Sequence, residues 1–146
     1  MNENNLTTAY IKQIKESPEV FIKLPLDDIK NSDDFPFLLV IQSKFENSMK
    51  LTIYPINKEK IIKLNLRGLN IPNEIFETLT KILQNFQIIH TSGFLLKEGK
   101  LLYECYLNIN FSENKSEDLK TALDKIKNVF KEIKLQEISL KTTNKP

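Results

Sequence analysis

The sequence is poor in the residues that most site chemistry needs. Its 146 residues include no tryptophan, one cysteine (Cys105), one histidine (His90), one arginine (Arg67) and three glycines. A single cysteine excludes an intramolecular disulfide. With one histidine and one cysteine, nitrogen- and sulfur-based metal sites and the usual nucleophile–base triads lack parts. No GxGxxG, Walker, HExxH, CxxC or GxSxG pattern occurs. Net charge is small, with 21 basic against 19 acidic residues, or +2. Bulk electrostatics therefore exerts no pull toward nucleic acid or an anionic membrane. The longest apolar run, FPFLLVI at 35–41, is far short of the roughly 20 residues of a membrane-spanning helix. MNENNLTTAY has neither a basic region nor an apolar stretch, so no signal peptide is read there. A reducing, cytoplasmic location without a membrane partner is expected. There is no tandem repeat and no low-complexity tract.

What is present suits one globular core: 40% hydrophobic and 27% charged residues. Residues 5–16, NLTTAYIKQIKE, place Leu6, Tyr10 and Ile14 on one face of a short helix that Ser17-Pro18 would stop. Residues 17–34 read as a loop or lid carrying Asp27-Asp28 and Asp33-Asp34. FLLVIQSK (37–44) and MKLTIY (49–54) read as a hairpin closed by Phe45–Ser48, with a turn at 55–59. In KIIKLNLR (60–67), Ile62, Leu64 and Leu66 share one strand face; Ile61, Lys63, Asn65 and Arg67 share the other. Helical periodicity predicts helices over 73–86 and 117–133, with Asn70 and Ser116 as N-caps and Pro72 in a first turn. Between them a second hairpin runs from 87–95 through Lys97-Glu98-Gly99 into 100–111. There Leu101, Tyr103, Cys105, Leu107, Ile109 and Phe111 alternate with Leu102, Glu104, Tyr106, Asn108 and Asn110. Residues 135–140 read as a last strand or a helix extension, and 141–146 as a disordered tail.

From 60 to 140 the expected order is strand, helix, strand, strand, helix, strand, a ferredoxin-like βαββαβ two-layer sandwich of the α+β class. Residues 1–59 form an N-terminal arm, with a short helix and a β-hairpin packed on that domain. The run KIIKLNLRGLNIPNEIFETLTKILQNFQIIHTSGFLLKEGKLLYECYLNI resembles an ACT-type regulatory domain, a family of small-molecule-sensing modules, many of which bind amino acids. The resemblance rests on element order, on the Gly/Pro corner before the first helix and on the small-residue stretch Thr91-Ser92-Gly93. The family's usual Pro-Gly is here Pro72-Asn73, with Gly68 earlier. The resemblance implies a non-catalytic domain without a cofactor, side-by-side homodimers, and an amino acid or similar small anion bound near the first strand–helix loop. The residues so implicated are Arg67, Gly68, Asn70, Asn73, Thr91 and Ser92.

Read without the family, the corner at Arg67–Asn70 has two meanings. Helix-start N–H groups and a guanidinium can converge on a carboxylate. A turn glycine, an N-cap and a solvated arginine equally make a plain corner. Two further functional readings stand beside the sensor. An RNA-binding RRM domain has the same element order but needs aromatics on its open sheet face. Here Tyr103 falls on the apolar face and Glu104 on the open one, so nucleic acid is not an expected partner. If 135–140 is helical, the order approaches profilin-like or longin-like scaffolds that bind protein partners. The hairpin at 37–54 must extend a sheet edge, cover the open face or mark a different topology. Lone His90 lacks partners at metal-ligand spacing, Cys105 reads as a buried small hydrophobe, and the acidic pairs read as solvated loop charge.

Overall fold

The structure is a computed structural model that describes residues 7–14, 19–26 and 34–141. The chain divides into two units, Met1–Lys30 and Asn31–Pro146. In the first, residues 7–14 and 19–24 have no regular secondary structure. This corrects the helix expected over 5–16, whose ends at 5–6 and 15–16 lie outside the described residues. A twelve-residue helix needs tertiary burial to persist, and Tyr10, Ile11 and Ile14 are all exposed. Thr7 and Thr8 also lose rotamer freedom in a helix. The Lys12 ammonium instead donates to the Phe21 carbonyl. Of the acidic pairs only Asp34 lies within the described residues. The tail does too only at Lys141.

The second unit is α+β, with two antiparallel sheets and two α-helices among its described residues. Strands β1 (Phe37–Lys44) and β2 (Met49–Ile56) form a two-stranded sheet by themselves. β2 runs on through Pro55, where a turn was expected; a proline is tolerated in a strand that lies at an edge. Then come β3 (Lys60–Leu69), α1 (Asn73–Leu83), β4 (Ile88–Lys97), β5 (Lys100–Leu107), α2 (Asn114–Asp124) and β6 (Glu132–Ser139). The four-stranded sheet has the order β4-β5-β3-β6, all antiparallel, an arrangement compatible with a ferredoxin-like sandwich.

Strand alternation decides which face each side chain takes. Ile62, Leu64 and Leu66 of β3 and Leu101, Tyr103, Cys105 and Leu107 of β5 point to the helix side and are buried. Leu79 and Leu83 descend from α1, which ends short of the expected residue 86, Phe86 from the turn after it, and Leu119 and Leu123 from α2, to close that core. The helix expected to reach 133 stops at Asp124. A 3-10 turn at Lys127–Val129 follows, and β6 begins at Glu132 and pairs with β3. Ile126 and Phe130 keep helical spacing yet reach the core from this turn. Ser116 is not the N-cap but lies buried in the first turn, donating to the carbonyls of Phe111 (3.2 Å) and Glu113 (2.7 Å).

The β1–β2 hairpin covers the other face. Leu39 and Ile41 meet Ile61 in a second small core, with Tyr54, Ile56, Ile89, Tyr106 and Ile138 packed around it. Of the three placements that sequence left open, the sheet's open face is the one occupied.

Candidate functional site

The expected ligand residues divide into two places. Gly68, Asn70 and Asn73 lie at the strand–helix corner. Gly68 is buried, and a Cβ there would stand 2.4 Å from Ile71 Cδ1. Asn70 is not the N-cap; Pro72 fills that position without a side-chain cap. Asn70 adopts a left-handed φ of 52°, which asparagine tolerates, and its N–H donates to the Gly99 carbonyl at 2.9 Å. Gly99 in turn has φ 77° beside Glu98 at 54°, the two positive angles of a tight β4–β5 hairpin turn. Gly68 and Asn70 thus have packing and turn roles. Asn73 opens α1 with an exposed side chain.

Arg67, Thr91 and Ser92 lie elsewhere, on the lining of a cleft of about 670 Å³ between the hairpin and the open face of the four-stranded sheet. β4 carries a bulge there. Ser92 and Gly93, the latter at φ 73°, together oppose Glu104. The Ser92 hydroxyl restores the lost pairing, accepting from the Glu104 N–H (3.0 Å) and donating to the Glu104 carbonyl (3.2 Å). Thr91 Oγ1 accepts from the Gly93 N–H at 3.2 Å. The small-residue stretch is therefore the device that bends β4 along the cleft wall.

The cleft is cationic with one acid. Lys50 from β2 joins Lys63 and Arg67 from β3, against Glu104 from β5. Lys63 Nζ lies 3.2 Å from Glu104 Oε2 and 5.4 Å from the centre of the Tyr106 ring. Burial works against the Lys63 charge, but the hydrogen bond to Glu104, with the charges of Tyr106 and Glu104 behind it, outweighs burial and raises the lysine's pKa. Arg67 Nε stands 3.8 Å from Glu132 Oε2 across the β3–β6 pair, with both side chains well exposed. That pair is weak enough for a ligand to exchange. Leu95 and Leu102 supply apolar wall near Arg67.

His90 sits between the two sheets. Tyr54 of the hairpin meets its Nδ1 at 2.8 Å, with the rings edge to face at 5.5 Å, and Tyr106 packs against its other side at 6.1 Å. It latches the hairpin to the sheet. On the helix side, burial pushes the Cys105 thiol from 9.0 up to about 11, which makes it inert as a nucleophile. Burial likewise takes Tyr103 up to about 12 against a hydrogen bond from Thr91.

Sequence reasoning missed Lys50, Lys63, Glu104 and Tyr54 as site residues. Alternation already placed Lys63, Glu104 and Tyr106 on one face; only the hairpin's position turns that face into a cleft. Among the described residues, no group of three or more His, Cys, Asp or Glu is placed to hold a metal. No described helix is long and apolar enough to cross a membrane. No protein-family model matches the chain, and neither the curated proteins nor the solved structures contain a match to it.

Proposed function

We propose that the chain is a non-catalytic, cytoplasmic regulatory domain of ACT-like, ferredoxin-like βαββαβ design, which binds an amino acid or similar small anion as a homodimer. The observation that carries this reading is the cleft. Lys50, Lys63 and Arg67 offer positive charge for a carboxylate, Glu104 offers a counter-charge for an ammonium, and Leu95 and Leu102 offer apolar surface for a side chain. The strand order β4-β5-β3-β6 supports the fold assignment. The ligand is assigned to the cleft and not to the strand–helix corner, because Gly68 and Asn70 are already used by local packing. Regulation follows by linkage: the ligand bridges hairpin and sheet, so it favours the hairpin-closed arrangement over any looser one.

A thermal-shift screen with the twenty amino acids tests this. A ligand at a hundred times its dissociation constant adds about 2.7 kcal/mol, or roughly 5–11 °C for a domain of this size. One amino acid should give such a rise, and Arg67→Ala and Lys63→Met should each reduce it. Silence across the panel at millimolar concentration rejects the sensor reading. A protein-interaction scaffold then gains, since edge strand β4 exposes Leu95 and Leu96.

A further inference from the structure

We infer that the ligand of the cleft is an acidic amino acid, its second carboxylate held by Lys50 of the hairpin while Arg67 and Glu104 of the sheet take its α-carboxylate and ammonium. This rests on the sensor reading of the cleft and narrows it to one ligand class. The charged side chains that line the cleft are Lys50, Lys63, Arg67 and Glu104. Lys63 is paired with Glu104, and Arg67 faces Glu132. Lys50 is exposed and, among the described residues, has neither a hydrogen bond nor an ion pair. Its place in the hairpin turns it toward the sheet. Directly opposed residues of an antiparallel pair share a face. The register opposes Leu39 to Tyr54, Ile41 to Thr52 and Ser43 to Lys50, and these pairs alternate along the strands onto one face. Leu39, Ile41 and Tyr54 belong to the small core against the sheet, so Lys50 lies on that inner face too. Lys44, opposed to Met49, lies on the outer one.

Charge selects the ligand class. Lys50, Lys63 and Arg67, set against Glu104 and Glu132, leave one positive charge over. A neutral amino acid carries equal charge of both signs. Its carboxylate and ammonium can exchange into the pairs at Arg67 and Glu104, but the surplus at Lys50 stays. A second carboxylate cancels that surplus through a charge-assisted hydrogen bond, which is stronger than any bond the corresponding amide could accept. A plain dicarboxylate overshoots: it brings two negative charges and no ammonium for Glu104, which would then repel it. The acidic amino acid, with one net negative charge, is the class that balances. Held by Lys50 on one sheet and by Arg67 and Glu104 on the other, it also ties the hairpin to the four-stranded sheet.

Isothermal titration calorimetry of the full chain at low ionic strength, where exposed charges are least screened, tests this. The titrants are L-glutamate and L-aspartate, their amides L-glutamine and L-asparagine, and the diacids glutarate and succinate. One of the two acids should bind at least about tenfold more tightly than its amide and than the diacid that lacks the ammonium, the gain expected of one hydrogen bond to a charged group. Lys50→Met should weaken that acid at least about tenfold and its amide far less, so that the preference collapses. Lys44→Met removes the same charge from the hairpin's outer face and should keep the preference. A neutral amino acid that binds as tightly as either acid, a diacid that binds as tightly as its amino acid, a preference that survives Lys50→Met, or one that Lys44→Met abolishes overturns this inference and leaves the sensor reading standing. Silence from all twenty amino acids, in heat and in melting temperature alike, overturns both.

Discussion

Among the described residues, the helix-covered face of the four-stranded sheet buries fifteen side chains in one cluster, from Ile62 to Phe130. The hairpin-covered face buries three, Leu39, Ile41 and Ile61. The same strands build both faces, so the contrast comes from what lies on top. Two helices with apolar stripes cover most of the sheet there. A two-stranded ribbon covers one end of the other face and leaves the end near Arg67 open as the cleft. The helix-covered face holds most of the buried core, and the half-covered face leaves the cleft open.

The largest expected effect separates the two faces directly. Leu64→Ala, on the sealed side, should cost about 3–5 kcal/mol and shift the global unfolding transition. Leu39→Ala, under the hairpin, should cost about 2–3 kcal/mol, and hydrogen exchange should show where. β1 and β2 amides should lose protection while β3 and β5 keep theirs. Equal loss across both sheets would mean that the two faces are one cooperative core.

A smaller effect should appear at alkaline pH, and it belongs to the sealed face. The folded-state pKa of Cys105 is raised from 9.0 to about 11 and that of Tyr103 from 10.0 to about 12. Below pH 9 both folded and unfolded states hold these protons, so the contribution is fully present. As pH rises the unfolded chain deprotonates first, and stability falls by up to about 1.4 kcal/mol per pH unit per group. The loss is complete once pH passes the folded values. Lys63, also raised, adds to the same trend from the cleft. In Cys105→Ala, denaturant titrations should place the onset of this fall near pH 10, where Tyr103 takes over from pH 9. An unchanged onset would sink the assignment to Cys105.

The smallest effect concerns the latch. Tyr54→Phe removes the hydroxyl that meets His90 and should cost about 1 kcal/mol. Protection should fall in the hairpin alone, which sharpens the comparison between the faces.

The sheet was legible in the sequence because alternation is a local signal. Ile62, Leu64 and Leu66, and Leu101 through Leu107, declare their face with a period of two. Helix α1 was legible from its stripe. Helix α2 was overrun because Phe130 and Ile133 continue its spacing by coincidence, with no glycine or proline to mark the stop at Lys125. The Asn70 cap was misplaced because asparagine also suits a left-handed turn, and the bond to Gly99 that fixes it there is non-local. Half of the candidate site had the same difficulty. Lys63 and Glu104 were visible as face-mates, but Lys50 joins the cleft lining and Tyr54 meets His90 only through the hairpin's docking, which no local pattern encodes.

The cleft is tested most directly by a backbone amide NMR titration, with the amino acid that raises the melting temperature. Binding in the cleft should shift Lys63, His90, Thr91, Ser92 and Thr52, on both sheets, along one saturating curve. Shifts confined to residues 68–73 at the strand–helix corner, or no saturable shift on the hairpin side, would contradict it.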